Sequence, residues 1–201
     1  MPVCAVANFS SVIRCATLAA IVLATGCSVI EPQPTLTYTA DTTAAPPKNK
    51  QIILNPFIDH RADKTSVGTV RSTFGANAAE VVPANDVTQW VIDAIKTELQ
   101  QNGYVVTLGS SGKDNLPGAS AAMSGVIAEV SCKSNHAAKV VLLGKISGSG
   151  KDVMNKNYLG VATAPSVWGS PAKLCAQSLA DALANSVKPF VADLEEVLAS
   201  R

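Results

Sequence analysis

The chain has 201 residues, a length that suits one ordinary domain, and its 16 Lys and Arg residues against 15 Asp and Glu give a net charge of +1. A nucleic-acid-binding protein usually carries a basic excess, because contacts to phosphates supply most of its non-specific affinity, so this class is disfavoured. Charged residues make up only 15% of the chain, against a typical share of about 25%.

The N-terminal segment has the features of an export signal. Arg14 is its one basic residue, an apolar run covers residues 15–24, and 12 residues separate Arg14 from Cys27. A helix that spans a bilayer needs about 20 apolar residues. We therefore predict a signal peptide over residues 1–26 rather than a permanent anchor. An ordinary secretory signal with a chance cysteine, and a buried core helix, are the two alternatives.

The residues around Cys27 resemble the lipobox of bacterial lipoproteins, with small residues before an obligatory cysteine. The resemblance implies cleavage after Gly26 and acylation of Cys27, including palmitate. Several acyl chains on one cysteine suffice for stable membrane binding. Ser28 stands where an aspartate retains lipoproteins in the inner membrane of enteric bacteria. The resemblance therefore implies a lipid anchor at the periplasmic face of the outer membrane, with the inner membrane as the alternative.

Residues 27–50 are predicted to be the lipidated cysteine and a tether. This segment is rich in proline and threonine, which is typical of an extended linker. Within it, residues 35–39 alternate like a short strand that could join a sheet edge.

Two cysteines remain in the body of the chain once the leader is removed and Cys27 is acylated. Cys132 and Cys175 would lie in an oxidising compartment, where disulfides persist. A disulfide between them is one expectation. Two separately buried thiols are the other, since free cysteines are common core residues.

Residues 51–201 are predicted to form a single periplasmic domain, which opens with a strand over residues 51–58. Pro56 cannot donate a ladder hydrogen bond, so its part of the strand is expected at an edge or a strand end. Residues 59–84 follow with little regularity, which favours a functional or partly ordered segment. Within it, residues 67–71 are predicted to form a strand or a hairpin arm.

Two amphipathic helices are predicted, one after Asp86 and one from Pro171. Asp86 and Gln89 fit a capping-box pattern, and the apolar residues that follow, Trp90 among them, recur at helical spacing and indicate a core face. The second helix is long, and Pro189 is expected to kink it or divide it in two.

Four extended segments lie between the helices, the last three separated by turn residues as in an antiparallel meander. They cover residues 104–108, 120–132, 137–147 and 153–163. Together these elements predict an α+β domain in which one mostly antiparallel sheet of about 4–6 strands is covered by two amphipathic helices.

Asp59, His60 and Arg61 form the densest polar cluster in the body. Adjacent side chains on an extended chain point to opposite faces, so spacing alone does not bring them together. We expect a solvated strand end with an Arg61–Asp63 pair, open to an interaction role, rather than a catalytic group. A hydrolase would need His60 close to a nucleophile such as Ser66 or Ser72.

No catalytic or metal site and no cofactor are expected from the remaining residues. His60, His136, Cys132 and Cys175 lack the paired ligand spacing of a zinc site. Trp168 is either buried in the core or an anchor for a partner, as aromatic residues often are in interfaces.

The chain resembles the YajG-type family of uncharacterised bacterial lipoproteins. The lipobox, the strand end at residues 55–61, the helix sequence at residues 86–95, the following residues 99–104 and a closing amphipathic helix carry the resemblance. It covers most of residues 50–201, and none of its motifs is catalytic. It implies an α+β periplasmic domain tethered to the outer membrane.

The expected function is that of a non-enzymatic accessory or interaction protein of the cell envelope, bound to the membrane through its lipid and to another envelope protein, without nucleic acid. A binding module for a lipid or cell-wall fragment, with residues 59–84 as a lid over a pocket, is the alternative. A periplasmic hydrolase is the third hypothesis.

Overall fold

Seven strands and two helices make up the part of the chain that the structure describes. A computed structural model of the protein describes residues 33–40, 44–71, 78–110, 118–148, 151–164 and 169–200. The elements in chain order are β1 (Gln51–Asp59), β2 (Thr69–Arg71), β3 (Ala78–Glu80), α1 (Val87–Gln101), β4 (Val105–Leu108), β5 (Ala121–Cys132), β6 (Ala137–Gly148), β7 (Lys151–Thr163) and α2 (Pro171–Ala199).

The main sheet has five strands in the order β4-β1-β5-β6-β7. β1 runs parallel to both β4 and β5, whereas β5, β6 and β7 form antiparallel pairs. The expected α+β class with two helices is confirmed, but the expectation of one mostly antiparallel sheet is wrong, because the main sheet is mixed and β2 and β3 form a separate two-stranded antiparallel sheet. The parallel pairing follows from α1, since a helix between β1 and β4 returns the chain to the end of the sheet where β1 began.

Both helices pack on one face of the sheet, α1 against β1 and β4 and α2 against β5, β6 and β7. Asp86 caps α1 as expected, its side chain accepting a hydrogen bond from the Gln89 backbone N–H at 2.7 Å. Trp90 is buried in the core. Of the two expectations for Pro189, a kink or a division, the division does not occur, because α2 runs through Pro189 as one helix.

Pro56 lies in the part of β1 that has no β4 partner. β4 pairs with β1 only from Gln51 to Leu54, and the register with β5 shifts between Leu54 and Phe57. The expected position at a strand edge is therefore confirmed within an otherwise central strand.

The described part of the predicted tether packs on the domain. Leu36 is 3% exposed, and its backbone exchanges two hydrogen bonds with the Asn85 side chain at 2.8 and 3.0 Å. Further along, the N–H groups of Ala45 and Lys48 donate to the backbone at the end of α1. Residues 33–40 and 44–50 are thus fixed to the domain surface, because buried leucine and backbone hydrogen bonds oppose the freedom of a linker.

Cys132 and Cys175 lie together as a disulfide between the end of β5 and the first turns of α2, with their Cα atoms 5.9 Å apart. Both residues are buried. The bridge fixes the first turns of α2 to the end of the sheet at which β1 and β5 finish. We call this the helix-start end, since α1 also begins there.

Candidate interaction surface

The segment after β1 is organised by the buried guanidinium of Arg61. Its Nε and Nη2 donate to the Asp59 carboxylate at 2.9–3.2 Å, and its Nη1 and Nη2 donate to the backbone carbonyls of Ser66 and Lys64. The Arg61 side chain is only 4% exposed. The expectation of a solvated strand end is therefore wrong for Arg61, whose charge is buried and paired.

The expected Arg61–Asp63 pair is also wrong, because the Asp63 carboxylate is used within its own turn. One Asp63 oxygen accepts hydrogen bonds from the Thr65 N–H and hydroxyl at 2.8 Å and from the Ser66 N–H at 3.1 Å. These bonds lower the pKa of Asp63 below its ordinary value. Asp59 is the Arg61 partner instead, since the Asp63 carboxylate is held by Thr65 and Ser66.

The pKa of Asp59 also lies below its ordinary value. Burial acts against the charged carboxylate, but the hydrogen bonds from the Arg61 side chain and backbone outweigh that effect. The ion pair therefore holds the segment after β1 in one conformation as long as Asp59 is ionised.

His60 and Ser66 are not arranged as a base and a nucleophile. The His60 side chain is exposed, and its imidazole forms no hydrogen bond with a described residue. The Ser66 hydroxyl donates to the Gly68 carbonyl at 2.9 Å and accepts from the Gly68 N–H at 3.1 Å. Ser66 thus closes a turn, and Ser72 lies outside the described residues.

A cleft of about 690 Å³ opens at the helix-start end, between residues 61–69 and residues 128–134. Gly68 is one of its lining residues, and its backbone has a φ of 144° and forms a parallel bridge with Cys132. A Cβ atom on Gly68 would lie 2.0 Å from the Cys132 carbonyl oxygen. Only glycine permits this approach of the segment to the end of β5.

The sheet face that the helices leave uncovered carries a stripe of aliphatic side chains. The register aligns Ile58 with Val126 and Leu143 in one row, and Val141 with Leu159 in the next. Ile58, Leu159 and Val161 are each 57% exposed. The aliphatic stripe consists of Ile58, Val126, Val141, Leu143, Leu159 and Val161.

Ion pairs flank the aliphatic stripe on both sides. On one side Lys139 contacts Glu129 at 2.7 Å, and on the other Lys145 contacts Asp152 at 2.9 Å. The hydrogen bonds from these lysines lower the pKa of both carboxyls. Because the charges beside the stripe are neutralised within the chain, the uncovered face offers apolar contact and little net charge.

The uncovered stripe was missed at the level of sequence, although a signal for it exists. Residues 140–143 read Val-Val-Leu-Leu, so apolar side chains occupy both faces of β6. A strand that is buried on one face and solvated on the other normally alternates apolar and polar residues. An apolar run in a strand with only one covered face therefore indicates an exposed apolar surface.

Several expected site residues lie outside the described residues, namely Gly26, Cys27 and Trp168. Within the described ranges, no group of three or more His, Cys, Asp or Glu side chains is placed to hold a metal ion. Neither described helix combines the length and the apolar character needed to cross a bilayer. His136 lies in the turn between β5 and β6 with a φ of 59°.

Solved structures share the fold of this chain. Protein XCC0632 from Xanthomonas campestris, of the family DUF330, matches with a TM-score of 0.53 and 15% identity over 77% of this chain and 91% of that one. The hypothetical protein CT253 from Chlamydia trachomatis matches with a TM-score of 0.54 and 10% identity over 76% of this chain and 99% of that one. At such low identity the likeness establishes the fold alone, one found in an uncharacterised bacterial family.

No family model and no curated protein matches the chain.

Proposed function

We propose that this chain is an outer-membrane-anchored periplasmic lipoprotein that acts as a non-enzymatic interaction protein of the cell envelope. The proposed location and lipid anchor rest on the basic residue, short apolar run and small residues before Cys27, and on the YajG-type resemblance. A lipid-anchored protein of this kind brings a binding surface to the membrane.

The observation that carries the interaction role is the aliphatic stripe. Soluble domains rarely leave a contiguous apolar patch uncovered unless it meets a partner. Three of its six side chains are more than half exposed, because both helices pack on the other face of the sheet. Burial of these side chains in a complex would supply the free energy for docking.

The partner that fits this stripe is another envelope protein with an aliphatic surface of its own. The stripe crosses the four strands from β1 to β7, a width of about 14 Å at the usual strand spacing. Its flanking lysines are paired within the chain, so they need no acidic partner. Apolar complementarity therefore sets the choice of partner.

A charge placed in the stripe is expected to weaken docking at least about tenfold, since burying an unpaired charge costs several kcal/mol. Leu159→Glu is the test variant, and Asn155→Glu is its matched control, on the same strand and face but outside the stripe. The measurement is the amount of each envelope protein that co-purifies with the tagged chain. Equal recovery with both variants would refute docking through the stripe.

A binding module for a small envelope ligand is the alternative, and the cleft at the helix-start end favours it. The cleft lies along residues 61–69, within the segment expected to act as a lid, and mixes apolar with charged lining. Its volume suits a small ligand. If this alternative holds, the ligand is expected to contact Ala128 inside the cleft rather than the sheet face. The exposed His60 and the engaged Ser66 lend no support to a hydrolase.

A further inference from the structure

The path of the chain before β1 limits where a bilayer can lie. Gln33, Pro34 and Thr35 line a small cleft together with Ser170 and Lys173, in the first turn of α2. The Pro34 carbonyl also accepts a hydrogen bond from the Ala84 N–H at 3.0 Å, just before α1. The first described residues are therefore fixed at the helix-start end.

Gln33 is the sixth residue after Cys27, with only five residues between them. Even fully extended, six residues span no more than about 22 Å. If Cys27 carries the lipid, as in the proposed function on which this inference rests, Gln33 lies no farther than about 22 Å from the lipid attachment point. The opposite end of the sheet lies much farther away, because the 12 residues of β6 extend over about 40 Å.

The helix-start end also carries exposed lysines. Lys64, Lys133 and Lys173 are exposed, and none of them forms an ion pair with a described residue. Acidic groups also lie at the same end: Asp63 and Asp86 accept hydrogen bonds from backbone N–H groups, and Glu80 is exposed in the lining of the cleft. Lysines near a bilayer are attracted to anionic headgroups.

We propose that the helix-start end faces the bilayer, with Lys64, Lys133 and Lys173 in contact with the phosphates of anionic lipid headgroups. In this orientation the cleft between residues 61–69 and 128–134 opens towards the membrane surface. The sheet then stands away from the bilayer, and the aliphatic stripe stays accessible to a protein partner.

The test uses the mature, acylated chain in vesicles of phosphatidylethanolamine and phosphatidylglycerol with a nitroxide quencher on the headgroups. A fluorophore is attached to a single introduced cysteine, either Ser134→Cys at the helix-start end or Lys151→Cys at the opposite end. Quenching is expected to be several-fold stronger at position 134. Equal quenching, or stronger quenching at position 151, would overturn the orientation.

The lysine contacts are tested by the triple variant K64E/K133E/K173E, which is expected to lower quenching at position 134, whereas Lys96→Glu within α1 leaves it unchanged. Unchanged quenching in the triple variant would overturn the contacts. Mass spectrometry of the N-terminal peptide separates the two proposals. Acylated Cys27 with equal quenching refutes only the orientation, and Cys27 without acyl chains refutes the anchor as well.

Discussion

Replacing Gly160 with valine is expected to lower the free energy of unfolding by about 3–5 kcal/mol, at the upper end of the cost of overpacking. Gly160 lies in β7 directly beneath α2. A Cβ atom there would stand 1.8 Å from the Ala182 carbonyl oxygen and 2.8 Å from the Ser186 backbone nitrogen. Backbone atoms of a helix cannot turn aside as a flexible side chain can, so α2 must lift from the sheet.

Urea denaturation followed by circular dichroism measures this effect through the midpoint of the transition. Val161→Ala is the matched control, because Val161 is the next residue of β7, faces away from α2 and is 57% exposed. We expect the control to change stability by less than about 1 kcal/mol. A Gly160→Val protein as stable as the control would show that α2 does not approach β7 as described.

Removing the charge of Asp59 is expected to destabilise the domain by about 3–5 kcal/mol, because Asp59→Asn leaves the buried guanidinium of Arg61 without its counter-charge. The side chains of Asp59 and Arg61 are 15% and 4% exposed, so solvent screens their interaction little. The two carbonyls that also accept from Arg61 cannot neutralise it. Asp63→Asn is the control, since Asp63 is exposed and does not pair with Arg61.

The same pair predicts a dependence on pH. The pKa of Asp59 is lower in the folded protein than in the unfolded chain. Its stabilisation is therefore complete above the unfolded pKa of about 4 and is lost as the pH falls through the folded pKa. Denaturation midpoints measured between neutral and acidic pH should fall less steeply for Asp59→Asn than for the unchanged chain. Parallel curves would contradict the role given to this carboxyl.

The helices were largely predictable, because their signals are local. Asp86 and the apolar spacing after it define the start and the buried face of α1, and the structure has both. Pro189 is the exception within α2. The ring removes one hydrogen bond, but the many apolar side chains that α2 buries on either side outweigh that loss.

The sheet order was not predictable in the same way, because pairing depends on contacts between residues distant in sequence. β1 pairs with β5 across more than sixty residues, and nothing in either strand specifies that neighbour. Composition also misled for residues 33–50. Its prolines and threonines indicate a linker, whereas a single buried leucine, Leu36, and the Asn85 amide hold part of it on the domain.

In the candidate site, the residues of the polar cluster were predictable from the sequence, but the contacts between residues were not. Asp59 and Arg61 were recognised as a polar cluster, but their pairing depends on the turn that occupies Asp63. The aliphatic stripe combines residues from β1, β5, β6 and β7, so it exists only once these strands are aligned. The apolar run at residues 140–143 signals the part of the stripe that β6 contributes, but it does not show which residues of the other strands lie beside it.

Photo-crosslinking in intact cells tests docking through the aliphatic stripe most directly. A photoreactive amino acid replaces Leu143 or Leu159 in the stripe, Ala128 in the cleft, or Asp181 on the exposed side of α2. We predict the same crosslinked protein from positions 143 and 159 and none from position 181. Crosslinks from position 128 alone, or no crosslink from either stripe position, would contradict it.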